Sequence, residues 1–328
     1  MTRIATLALF VCLLATSAFA LDGAWTASID EKRPGHVYLN LTQGRNHNMG
    51  TTFLLSSFSG LTESQMHAAT TTPVNFEMRR EAGTVSFEGT FRNGKGAGQF
   101  TFAQDRSYID KIRALGLEFE LDKPSRRHKR DRTDEEDLFS LALHDVSTSF
   151  IKSMIAEGYR VSLEKYLTMR IFNITPEYIR EMRSLGFKDI DAEELVATKI
   201  HKVTPQFVRD MRAAGWDLSL EELQSSAIHG ATPAFAEEMR KLGYGNLSHD
   251  DLVSFRIHRV TPEFIEELRK LGYDKVKADD LVSMRIHRVT PEFIRELAAA
   301  GYENVPPRKL VEMRIHRIDA QYLRKMRD

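Results

Sequence analysis

RIHRVTPEFI occupies residues 256–265 and returns, letter for letter, at residues 285–294. The two copies are 29 residues apart. Aligning the chain on this stretch gives seven copies, from LALHDVSTSFI to MRIHRIDAQYL. The central slot holds His144, Phe172, His201, His229, His258, His287 and His316, in steps of 28 or 29 residues. Self-similarity at such a period marks a repeat architecture. A degenerate earlier copy lies at DRSYIDKIRALGL, residues 105–117, and its unit carries an insertion at 121–133.

Each copy reads as the junction of two helices. Thr175, Thr204, Thr232, Thr261 and Thr290 stand before a proline. Threonine accepts from a free N–H of a first turn, and proline at the first helical position loses no hydrogen bond. From Thr261, the residues Phe264, Ile265, Leu268 and Leu271 form one apolar stripe at helical spacing. Gly272 suits the left-handed residue that closes a helix, and Tyr273 is placed to fold back on it. A second helix follows. Thr133…Glu136, Asp191…Glu194 and Ser219…Glu222 have capping-box spacing. Leu281, Val282, Met284 and Ile286 are expected to supply that helix's apolar face. Short connections make consecutive helices antiparallel neighbours. Such pairs bury their faces only by stacking, so residues 105–328 are expected to form an α-solenoid. Asp319-Ala320 replaces Thr-Pro in the last copy, and the charged residues Arg324, Lys325, Arg327 and Asp328 are expected to cap the stack.

Residues 21–104 read as β structure. Val37, Leu39 and Leu41 alternate, as do Phe76 and Met78, then Val85, Phe87 and Phe91, then Phe100 and Phe102. The last three groups predict a three-stranded meander, with one or two earlier strands at 25–29 and 37–42. Asn93-Gly94 is a hairpin signal, expected here inside a longer glycine-rich loop, RNGKGAG. LLSSFSGLTESQM predicts a short helix after Thr62. The fold class is therefore α+β in two domains: a small antiparallel sandwich or partly open barrel, then helical repeats. Gly23-Ala24-Trp25 resembles the G-x-W of lipocalins and avidins. That resemblance implies an apolar-ligand cup lined by Trp25, Phe87, Phe91, Phe100 and Phe102. Against it, ~80 residues is short for an eight-stranded ligand barrel, and the simpler reading makes these residues core aromatics.

Residues 1–20 carry Arg3, an apolar run and Ala18-Phe19-Ala20. This is a secretory signal pattern with cleavage after Ala20, and it implies a periplasmic or secreted bacterial protein. Cys12 is the only cysteine, so the mature chain is expected to hold no disulfide, thiol nucleophile or thiolate metal site. No later segment has the ~18 apolar residues of a membrane span.

The chain has 46 basic and 46 acidic residues. A dedicated nucleic-acid binder carries a basic excess, so no nucleic acid is expected. The most basic stretch, KPSRRHKRDR at 123–132, reads first as a solvated loop inserted in the first unit; the alternatives are a protease-sensitive site or an anionic-surface contact, for which Arg126, Arg127, Lys129 and Arg130 are the interaction candidates. Arg256, Arg285 and Arg314 repeat, and so do Arg259, Arg288 and Arg317. These form either a solvated face with inter-layer ion pairs or a basic ridge for an acidic partner. A histidine ladder is a poor metal site: layers ~10 Å apart exceed what ligand bonds of ~2 Å can bridge. The histidines are instead expected to bond free carbonyls at the joint. No H-E-x-x-H, G-x-S-x-G, P-loop, G-x-G-x-x-G or calcium-loop motif occurs, and no cofactor is expected.

The repeat is similar to the helical H-x-V-T-P-E-F-I-R-E-L-R-x-x-G-Y units of bacterial proteins, some of them appended to sensor metallopeptidases of the BlaR1 type. The resemblance covers residues 144–328 and implies a bacterial envelope protein with an interaction region. It transfers no catalytic residue, because the peptidase motif is absent. The expected function is a non-enzymatic, exported scaffold whose repeats bind a protein or peptide of the cell envelope. Apolar-ligand binding by the β domain and an enzyme of unrecognised type are the alternatives.

Overall fold

The computed structural model describes residues 21–43, 47–121 and 133–326. The signal segment, the basic run with Arg126, Arg127, Lys129 and Arg130, and the terminal Arg327 and Asp328 lie outside these residues.

Six strands form one antiparallel sheet: β1 (Leu21–Ile29), β2 (His36–Gln43), β3 (His47–Leu54), β4 (Thr72–Arg80), β5 (Gly83–Arg92) and β6 (Lys95–Gln104), in the order β3-β2-β1-β6-β5-β4. The expected meander is β4–β6. β3 is an additional strand that sequence alternation did not announce. The expected small antiparallel β domain is thus one continuous sheet with edges at β3 and β4, and the rings of Trp25 in β1 and Phe76 in β4 meet at 5.4 Å across its buried face. Beyond β3 the chain turns back, and Ser59 pairs with Glu77 on the outer side of β4. The glycine-rich loop contracts to a two-residue turn. Asn93 and Gly94 both have positive φ between the paired Arg92 and Lys95, which matches the right-handed strand twist. The predicted short helix is α1 (Glu63–His67), started by a Thr62–Gln65 capping box.

Alternation puts Trp25, Val37, Leu39, Leu41, Phe76, Met78, Val85, Phe87, Phe91, Phe100 and Phe102 on one face, all buried. Gly89 is required there: a Cβ would sit 2.7 Å from Cζ2 of Trp25 and 2.2 Å from the Ala97 carbonyl oxygen. The Trp25 indole N–H donates to the Glu88 carbonyl at 3.1 Å, so the buried polar tip is satisfied.

The helices are α2 (Ser107–Ala114), α3 (Asp134–Leu143), α4 (Thr148–Ala156), α5 (Leu163–Ile171), α6 (Pro176–Ser184), α7 (Ala192–Ile200), α8 (Pro205–Ala213), α9 (Leu220–His229), α10 (Pro233–Lys241), α11 (His249–Ile257), α12 (Pro262–Lys270), α13 (Ala278–Ile286), α14 (Pro291–Ala299), α15 (Pro307–Ile315) and α16 (Ala320–Lys325). The chain divides into two compact units, through Thr175 and from Pro176.

In the first unit the opening helices complete the sheet. The Phe139 ring of α3 stacks on Phe100 at 5.6 Å and meets Phe102 edge-on at 5.2 Å. The Leu21 N–H donates to the Glu135 carboxylate at 2.9 Å, and Thr148 binds Glu81 through both its N–H and its hydroxyl. Like the later repeats, the degenerate copy leaves its helix across a left-handed glycine: Gly116, two residues beyond α2, has φ +75°, and the Tyr108 hydroxyl donates to the Val146 carbonyl.

In the second unit, α9, α11, α13 and α15 pack as one row, and α12, α14 and α16 as another, with α8 against α10. Thr204, Thr232, Thr261 and Thr290 cap their helices by accepting from the N–H of the residue three places on. Thr175 precedes Pro176 at the start of α6. All three expected capping boxes form, at Thr133 in the first unit and at Asp191 and Ser219 in the second, with a further one at Ser248 and Asp251. Asp319 caps α16 in place of threonine.

Candidate functional site

Two kinds of joint alternate, and both close a helix in the same way. At the first, the Tyr273 N–H reaches the Leu268 carbonyl at 3.0 Å across left-handed Gly272. At the second, the Val260 N–H reaches the Phe255 carbonyl at 2.8 Å across left-handed Arg259. Each has the pattern of a Schellman closure. The residues at the turning position differ in kind. The first joint uses Gly116, Gly158, Gly186, Gly215, Gly243, Gly272 and Gly301. The second uses Asp145, Asn173, Lys202, Gly230, Arg259, Arg288 and Arg317. A side chain in the left-handed region costs roughly 1–2 kcal/mol. The chain accepts that cost at the His joint and avoids it at the Gly-Tyr joint.

The repeated arginines separate into two groups. Arg256, Arg285 and Arg314 lie over the rings of Phe235, Phe264 and Phe293, 4.8, 4.9 and 4.8 Å from their centroids. Arg285 Nε also donates to the His258 carbonyl at 3.4 Å, and Arg170 Nε to that of His144 at 2.9 Å. These arginines staple one repeat to the helix end of the repeat before. The other edge is stapled likewise, by Arg212 on the Leu185 carbonyl at 2.7 Å and by Arg269 on that of Leu242. Inter-layer ion pairs join Arg209 to Glu181 and Arg308 to Asp280. Arg259, Arg288 and Arg317 are exposed, and among the described residues their guanidinium groups have no ion pair or hydrogen bond.

Their side chains share an edge with a row of exposed isoleucines. Ile286, expected on the apolar face of α13, is 51% exposed; Ile228, Ile257 and Ile315 are 55%, 51% and 53% exposed. Leu281 and Met284 of α13 are fully buried, and at 100° per residue Ile286 falls well off their stripe. The same slot in the preceding repeat holds Ile200, also exposed, two residues before Lys202. The joints of α11 and α13 touch through Arg285 and His258. Those of α13 and α15 border one basic depression of about 270 Å³ lined by His287, Arg288, Arg314, Arg317, Ile318 and Asp319. Arg256 approaches Gly230 closely enough that a Cβ there would sit 3.1 Å from it. Ile228, Ile257, Ile286 and Ile315 thus follow one another along one edge, with Arg259, Arg288 and Arg317 beside them.

The histidines do not make the expected bonds. Among the described residues, the imidazoles of His144, His201, His229, His258, His287 and His316 have no hydrogen bond to a carbonyl. Their place at the helix end is read through the backbone: His144 and His258 offer their own carbonyls to the stapling arginines. Burial, and then the Arg170 guanidinium, push the His144 imidazole below its ordinary pKa.

One arrangement has the outline of a hydrolytic triad. Ser226 Oγ lies 2.9 Å from His249 Nε2, and His249 Nδ1 lies 3.6 Å from an Asp250 oxygen. Its environment does not suit catalysis. Ser226 is fully buried while Asp250 is fully exposed, and 3.6 Å is too long for the orienting hydrogen bond. Ser226 occupies the core slot filled by Phe255 and Met284 in later repeats, and His249 satisfies its hydroxyl. Thr198 fills the same slot one repeat earlier and meets the Tyr178 hydroxyl at 2.6 Å.

Trp25, Phe87, Phe91, Phe100 and Phe102 are brought together, but as contacts with one another and with Phe58, Phe76 and Phe139. Among the described residues, no cluster of three histidine, cysteine or carboxylate groups has the geometry of a metal site, and no helix is long and apolar enough to cross a membrane. No protein-family model, curated protein or solved structure matches the chain.

Proposed function

We propose that this chain is an exported, non-enzymatic scaffold whose helical repeats hold a protein or peptide of the cell envelope. The observation that carries this reading is the ladder Ile228, Ile257, Ile286 and Ile315, four half-exposed isoleucines on one edge of the second unit. Isolated exposed apolar residues need no explanation, but an isoleucine left exposed at the same slot of successive repeats is a regular surface feature that a partner can read. The export segment at 1–20 and the likeness of the repeat to units appended to envelope sensors support the same reading. The aromatic residues of the sheet are engaged with one another, which favours their role as core over the apolar-ligand alternative.

A photo-crosslinking residue placed at Ile286 in the full-length protein tests this function in the native envelope. One discrete adduct is expected, missing when the same residue replaces Glu303 on the opposite edge. Failure to form any adduct specific to the Ile286 position would remove the reading.

A further inference from the structure

We infer that the occupant of the isoleucine ladder is an extended acidic segment carrying an apolar side chain at every third residue. This inference rests on the scaffold reading above and names the chemistry of the partner.

Spacing argues for an extended chain. Stacked helices lie ~8–10 Å apart, so the ladder offers one isoleucine per step of that size. A polyproline-type chain rises ~3.1 Å per residue, with three residues per turn, so its residues i, i+3 and i+6 share a face at ~9.3 Å intervals. An α-helix covers the same distance in six or seven residues and fits the ladder only at every second turn.

Charge argues for acidity. Arg259, Arg288 and Arg317 stand two residues after Ile257, Ile286 and Ile315. They are exposed and held in the left-handed region, with φ of 57°, 57° and 56°. Gly230 shows that the fold itself accepts glycine at this joint. Strain kept at one position per layer signals a use for the side chain. Of the carboxylates nearest in sequence, Glu292 pairs with Arg295 at 3.1 Å, Asp319 caps α16, and Glu263 accepts from its own N–H and the Thr261 hydroxyl. The guanidinium groups are thus available to an incoming carboxylate. The same charges oppose a second copy of this edge, which would set arginine against arginine. A membrane surface would suit a broad apolar face, whereas this ladder is one side chain wide.

The probe is a fluorescent peptide of ~5 Leu-Asp-Glu triplets, titrated into the full-length protein and followed by anisotropy. The control is a peptide of the same composition with the leucine period broken. The triplet peptide is expected to bind the more tightly, and its binding to weaken as salt rises. The triple variant Arg259→Gly, Arg288→Gly, Arg317→Gly is expected to lose about tenfold in affinity, or ~1.4 kcal/mol, while its melting temperature rises. The triple variant Ile257→Ser, Ile286→Ser, Ile315→Ser is expected to lose as much with the fold intact. Equal binding of both peptides, or affinity unchanged in both variants, overturns the inference. So does Ile-dependent binding to phosphatidylglycerol vesicles without binding to the peptide. A specific adduct at Ile286 combined with failure of the triplet peptide would overturn this inference and leave the scaffold reading standing. Absence of both would remove the two together.

Discussion

The guanidinium of Arg285 lies 4.9 Å from the centre of the Phe264 ring, one repeat earlier in the chain. Three residues on, Arg288 reaches out from a strained turn with no such contact. Identical side chains in one joint are therefore expected to behave oppositely. Arg285→Ala removes a cation–π contact and a hydrogen bond to the His258 carbonyl, and is expected to cost about 1–2 kcal/mol. Arg288→Gly relieves the left-handed backbone and is expected to gain roughly 0.5–1 kcal/mol once glycine's greater unfolded freedom is subtracted. Urea melts of the two variants settle the matter, and a destabilised Arg288→Gly would contradict the strain argument.

His144 gives a pH dependence with a definite sign. The unfolded imidazole takes a proton near pH ~6.5. The folded one takes it only at lower pH, because burial and Arg170 disfavour the cation. Below about pH 6.5 the unfolded chain therefore binds more protons, and stability falls as the pH drops toward the folded pKa. His144→Phe, which copies the natural occupant Phe172, is expected to flatten that part of the curve. Melting temperatures between pH 5 and pH 7.5 provide the comparison.

Ser226→Ala is expected to cost about 1–3 kcal/mol, because it strands His249 Nε2 in the core without its partner. Ser226→Thr, which copies Thr198, is expected to recover most of it. A fluorophosphonate probe is expected to leave Ser226 unlabelled in the folded protein. Stoichiometric labelling of Ser226 at native pH would show that the serine is reached from solvent.

Phe139 covers the sheet at Phe100 and Phe102. Phe139→Ala is expected to lose about 3–5 kcal/mol, within the range of large-to-small core substitutions. In a Trp216→Phe background, Trp25 fluorescence reports on the sheet alone. It is expected to shift when the sheet loosens in Phe139→Ala and to stay constant when an apolar dye is added to the parent. Saturable quenching of Trp25 by the dye would reopen the ligand-binding reading.

Much of the repeat was legible because its signals are local. Threonine before proline, glycine after a stripe and a carboxylate three places beyond a cap each act within one turn of chain. The strand at His47–Leu54 was not legible. It is an edge strand, residues 48–54 are at best half-buried, and Gly50 interrupts it because a Cβ there would meet the Tyr38 hydroxyl at 2.1 Å. An edge strand shows little alternation because one face is not fully covered. The short β5–β6 turn looks like a longer loop in the sequence because Gly96 and Gly98 are typical turn residues. They belong to β6, where Gly98 allows close approach to the Glu88 carbonyl. At the candidate site, Arg259, Arg288 and Arg317 stand out in the sequence as a repeated charge, but the exposure of Ile257, Ile286 and Ile315 does not. An isoleucine counts as core until its angle around the helix is measured against its neighbours.

The arginine staples give the repeat a grammar. Arg285 closes a helix end that the chain completed 27 residues earlier, so each unit is punctuated by the next. A whole repeat of 29 residues can then be cut out or copied in between Val260 and Val289 with every donor still facing an acceptor. A shorter cut breaks the sentence in two places, at the staple behind it and at the one ahead. Length variation in chains built this way should therefore come in steps of one full unit.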